Sequence, residues 1–166
     1  MRKSAGLVLL AIGFSVLFTF LLVYYWQSPD SEWEYNVEPG IYTASEEVAM
    51  GNLTYSLETY MWRDFMPISP PDGKPLIVII KIIAIDTEEF PLTISIERLW
   101  LINGLAIKST LATNEYKIYG NTLEMVFHNG PKWGPGISID IVVKLKYMDF
   151  RSYYLKAFNQ PIYRTD

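Results

Sequence analysis

The stretch ISIDIVVKLKY, residues 137–147, decides the fold class. Ile137, Ile139, Ile141, Val143, Leu145 and Tyr147 fall on one side of an extended chain, and Ser138, Asp140, Lys144 and Lys146 on the other. A period of two, rather than 3.6, marks a strand with one face in a core and one in water. Outward from this stretch the same beat recurs. LTYSLETYMWR at residues 53–63 alternates in the same way, LEMVF at 123–127 is a shorter case, and SYYLKAF and PIY near the C-terminus read as one or two closing strands. In LTISIERLWLINGLAIKSTL, Asn103-Gly104 separates two β-prone runs, which predicts a hairpin with a type I′ turn because both residues tolerate positive φ.

One strand breaks the alternation. LIVIIKIIAI, residues 76–85, is apolar on both faces except at Lys81, so it has to be covered twice: by a linker, a long loop or the Lys81 stem, or by a partner. Turn signals at Pro70-Pro71-Asp72-Gly73, Glu88 to Pro91, Gly120-Asn121 and Asn129 to Gly136 complete seven or eight strands, with no convincing amphipathic helix. The expected fold is all-β, an immunoglobulin-like antiparallel β-sandwich over residues 40–166.

The N-terminus has a different character. After Arg2 and Lys3, residues 4–26 carry no charge, and FLLVYYWQSPDSE, residues 20–32, marks the change from apolar to polar. A helix of that length spans a bilayer core, and Tyr24, Tyr25 and Trp26 suit a membrane interface better than a signal-peptidase site. Residues 1–26 are therefore expected to be a transmembrane anchor or uncleaved signal, and 27–39 an acidic linker. The positive-inside rule then predicts a single-pass protein at the cell membrane, its N-terminus cytoplasmic and its C-terminal domain in the periplasm or at the cell surface. Ala11, Ser15 and Thr19 form a small-residue stripe along that helix, suited to packing against another span.

Catalytic equipment is sparse. The chain has no Cys and one His, so thiolate chemistry is excluded and any His-dependent site rests on His128. Glu46-Glu47 and Glu88-Glu89 are neighbours in turn-like contexts rather than a pair facing across a substrate. No phosphate-binding loop, dinucleotide fingerprint, zinc-protease motif or calcium loop occurs, and the thioethers are too scattered for copper. Neither a cofactor nor a metal is expected, and the protein is read as not an enzyme. Outside the anchor, twelve basic residues stand against eighteen acidic ones, a formal charge of −6 that argues against nucleic acid. The most distinctive loop is FHNGPKWGPG, residues 127–136, which offers His128, Lys132 and Trp133 as contact residues, unless Trp133 folds back over the domain as a structural plug.

Four segments, PPDGKPLIVIIKI (70–82), IERLWLING (96–104), NGPKWGPGISIDIVVKL (129–145) and YYLKAFNQPIYRTD (153–166), together resemble a family of small secreted or membrane-anchored bacterial proteins. Their signature is a G-P-x-W-x-x-G turn followed by a V-D-V-V-V strand; here the strand reads SIDIVVKL. The resemblance implies an immunoglobulin-like fold and an extracytoplasmic address, and no activity. The expected function is a membrane-anchored, noncatalytic protein-interaction or scaffolding module, or alternatively an accessory single-pass subunit packed into a membrane complex through its helix.

Overall fold

The computed structural model describes residues 33–113, 115–148 and 150–166. A 3-10 turn at Pro39–Tyr42 precedes nine strands: β1 Glu47–Met50, β2 Leu53–Asp64, β3 Leu76–Ala84, β4 Ile94–Asn103, β5 Ala106–Leu111, β6 Tyr116–Tyr119, β7 Thr122–Gly130, β8 Ser138–Tyr147 and β9 Ser152–Thr165. They follow the period-two stretches closely, and the two C-terminal fragments form one strand of 14 residues. Short β1 and β6 are additional to the strands expected. The β4–β5 hairpin pairs Asn103 with Ala106, so its loop is Gly104-Leu105, one position later than Asn103-Gly104. Only Gly104 of the three takes a positive φ (58°), which places glycine first in the loop instead of completing a type I′ pair.

The expected immunoglobulin-like sandwich is corrected by β9. This strand runs antiparallel to β8 from Ser152 to Pro161 and then parallel to β2 from Ile162 to Thr165. The two layers are thereby one continuous sheet, ordered β5-β4-β8-β9-β2-β3-β7-β6, with β1 appended to β2. The β8–β9 register shifts between Ile139 and Ile141, opposite Asn159 at φ 53°, where the strand bends from one half to the other. The result is a curled half-barrel sheet, whereas an immunoglobulin fold keeps two separate sheets.

The inner, concave face holds the main core. Tyr55, Met61, Val78, Ile80, Ile82, Leu99, Leu101, Ile141, Val143, Leu145 and Leu155 come from strands of both halves, and each is buried. Trp33 joins this core where the curl closes: its Nε1 donates to the His128 carbonyl on β7 (2.9 Å), while the next residue, Glu34, pairs antiparallel with Ser109 on β5. Residues 33–39 of the segment read as a linker are thus packed on the domain.

The membrane-spanning helix expected at residues 1–26, with its Ala11, Ser15 and Thr19 stripe, lies outside the described residues. Among the described residues no helix is long and apolar enough to cross a membrane. The anchored module, the accessory single-pass subunit, the membrane as partner and the single-pass cell-membrane address all rested on that helix. They are corrected to what the structure supports, a β-rich domain whose described backbone is organised by strand pairing.

Candidate functional site

The outer face of the β4–β5–β8–β9 half is covered by the chain's own residues 34–45. Val142 and Trp100 point outward yet are buried, because Ile41 and Ala44 pack on them with Tyr154 alongside. Trp100 also donates Nε1–H to the Asn36 carbonyl at 3.0 Å. Gly40 permits the approach, since a Cβ there would lie 2.2 Å from the Tyr154 ring. Beside this cover a bulge in β4 between Ile96 and Arg98 turns Glu97 onto the outer face, opening a cleft of about 420 Å³ between Glu38, Glu97, Arg98, Lys144 and Leu111.

The cleft's charges satisfy one another. Lys144 Nζ lies 2.9 Å from Glu38 and 3.4 Å from Glu97, Tyr154 donates to Glu38 at 2.7 Å, and Arg98 meets Glu34 at 2.5 Å. Burial alone would raise the Glu38 pKa, but the hydrogen bonds from Tyr154 and Lys144 outweigh it and hold the carboxyl below its ordinary value. Lys144 is raised, first by its bond to Glu38; Tyr154 is raised, first by burial and then by the same carboxylate. An ammonium held between two carboxylates is a poor base and a poor nucleophile, so this cleft acts as a clamp on the covering segment.

The loop at 127–136 is fixed by a residue that sequence reading overlooked. Arg63 is only 3 % exposed, and its guanidinium donates to four carbonyls: Lys74 (2.9 Å), Lys132 (3.0 Å), Gly134 (2.7 Å) and Asp72. Burial lowers its pKa and the Asp72 charge opposes that shift. The signal was present: Arg63 falls in phase with Tyr55, Leu57 and Met61 on the inward side of β2, where a cation has to find buried acceptors. Of the expected contact residues, Trp133 is partly buried against the core, Lys132 pairs with Asp72 at 2.6 Å, and His128 is exposed on β7. Lys132 is turned to Asp72 and Trp133 to the core. Among the described residues no three His, Asp or Glu side chains form a metal-ligand set.

The outer face of the other half carries no such cover among the described residues. On β2 and β9, Tyr60 stacks on Tyr163 (ring centroids 5.2 Å apart, planes at 23°) and contacts Trp62 (5.5 Å). Tyr60 and Tyr163 remain 48 % and 47 % exposed. Strand register continues the apolar surface through Ile77, opposite Trp62, and Ile79, opposite Tyr60 and then Val126. Next to it runs a charged row in which Glu58 faces Lys81, Lys81 faces Glu124, and Glu124 faces Lys117 across four strands. This is the outer side of the strand that read as apolar on both faces. Its outward isoleucines are half-buried by their neighbours in the sheet, and the surface they form is open.

Comparison of the sequence with family models, with curated proteins and with solved structures finds no match.

Proposed function

We propose that this chain is a noncatalytic binding domain that recognises a protein through the outer face of β9, β2, β3 and β7. The observation that carries this reading is the Tyr60, Trp62 and Tyr163 cluster, its two tyrosines stacked and half-exposed on strands rather than loops, continued by Ile77, Ile79 and Val126. Contiguous apolar surface facing water is unfavourable to keep unless a contact repays it, and rigid aromatic rings are the side chains that anchor protein interfaces. The outer face of a curled sheet offers a protein surface broad contact but gives a small substrate no enclosure. The competing polar cleft is occupied by its own ion pairs.

Site-specific photocrosslinking tests the surface. A photoreactive residue replacing Tyr60 or Tyr163 in the full chain, expressed in its native cells, is expected to give a discrete covalent adduct. The same group replacing Leu105, which is fully exposed at the β4–β5 loop, is expected to give none. No adduct from the aromatic positions, or an equal yield from Leu105, would sink the assignment.

A further inference from the structure

Resting on the binding surface proposed above, we infer that its partner is a second copy of this chain, docked face to face about a two-fold axis parallel to the strands. Across β2, β3, β7 and β6 the charged row reads Glu58, Lys81, Glu124, Lys117, each residue in register with the next. The signs alternate and the row is neutral, although the whole chain carries a formal charge of −4. Two copies therefore meet at this face without like-charge repulsion along the row.

The alternation also selects the geometry. Sheets packed face to face with aligned strands can be related by a two-fold axis in the contact plane that runs along the strands or across them. An axis across the strands sets every residue of the row against itself, making four like-sign contacts. An axis along the strands reverses the strand order, so Glu58 meets Lys117 of the second copy and Lys81 meets Glu124 of the second copy. All four contacts are then of opposite sign. Like charges pressed together at an interface are strongly disfavoured, so the pattern excludes one arrangement and favours the other. The same operation lays Ile79 against Val126 of the second copy and sets Tyr60 opposite the β6 edge, with Trp62 and Tyr163 at the rim of the contact.

Charge reversal tests this in the full chain. Glu58→Lys alone and Lys117→Glu alone each create two like-sign contacts in a dimer of the variant, and each is expected to weaken self-association at least about tenfold in sedimentation equilibrium. Mixing the two variants, carrying different affinity tags, sets the reversed side chains against each other and is expected to restore association between tags. Within one chain β2 and β6 lie three strand spacings apart, about 14 Å, so restoration by mixing has to cross between copies. A wild-type chain that stays monomeric at every concentration, or a mixture no better than the single variants, overturns the inference. The Tyr60 photocrosslink separates the two levels. An adduct of twice the 19.2 kDa chain mass supports self-association. An adduct of any other mass keeps the binding surface and overturns the second copy as partner, and no adduct overturns both.

Discussion

Both halves of the curled sheet carry apolar side chains on their outer as well as their inner faces, and they dispose of them in different ways. On β4 and β8, Trp100 and Val142 are closed off by residues 34–45, and the ion pairs of Glu38, Lys144 and Arg98 fasten that cover at its edge. On β2, β3 and β9, the Tyr60, Trp62 and Tyr163 cluster and the neighbouring isoleucines stay open. On the covered face a segment of little regular structure buries apolar side chains of the sheet. The open face shows where the same kind of surface is left for something else to bury.

The largest effect should come from breaking the covered face. Trp100→Ala empties a fully buried site and leaves the Asn36 carbonyl without its donor, and it is expected to cost about 3–5 kcal/mol in denaturant unfolding. Loss below about 1 kcal/mol would mean that residues 34–45 cover the ring without contributing to stability. Arg63→Ala, which touches neither outer face, serves as the reference for a buried polar clamp. Stripping four carbonyls of their donor should cost about 3 kcal/mol and loosen the 65–75 and 131–137 loops together, visible as faster amide exchange in both.

A smaller effect tests the fastening of the cover. The folded-state pKa of Glu38 is depressed, so its contribution is present above the ordinary carboxylate pKa and is lost as pH falls through the folded value. Lys144 and Tyr154 are raised, so theirs are present below the ordinary Lys and Tyr pKa values and are lost as pH rises through the folded ones. Glu38→Gln should cost about 1 kcal/mol at neutral pH and flatten the acid side of the stability profile. An unchanged acid limb would show that the clamp is energetically idle. The smallest change in stability belongs to the open face. Tyr60→Ser should shift unfolding by at most about 1 kcal/mol while weakening association more than Trp100→Ala does in a still-folded sample.

Much of the strand content was legible because the side-chain period of a strand is written directly into the sequence, as at residues 137–147. LIVIIKIIAI announced a strand needing two covers, and its inner side, including Val78, Ile80 and Ile82, is fully buried. Two things were not legible. Whether two layers form two sheets or one depends on which neighbours a single strand chooses, and nothing in SYYLKAFNQPIYRT states that its last four residues leave β8 for β2. The open face was half hidden for a related reason. Tyr60 and Trp62 were visible on the outward side of β2, but Tyr163 joins them only through that same parallel pairing. Arg63, by contrast, was readable as a cation in phase with the core.

The exchange of partners along β9 also makes the native topology depend on contacts distant in sequence. Met61 pairs with Ile162, and Trp33 closes the curl on His128 across 95 residues of sequence. Joining such distant segments carries a loop-closure entropy cost before any contact repays it, and a topology rich in these pairings folds in milliseconds to seconds rather than microseconds. Until β9 docks, β8 and β2 each expose a strand edge able to pair with another chain. A chain in which β9 is undocked would thus offer two open edges at once, on β8 and on β2.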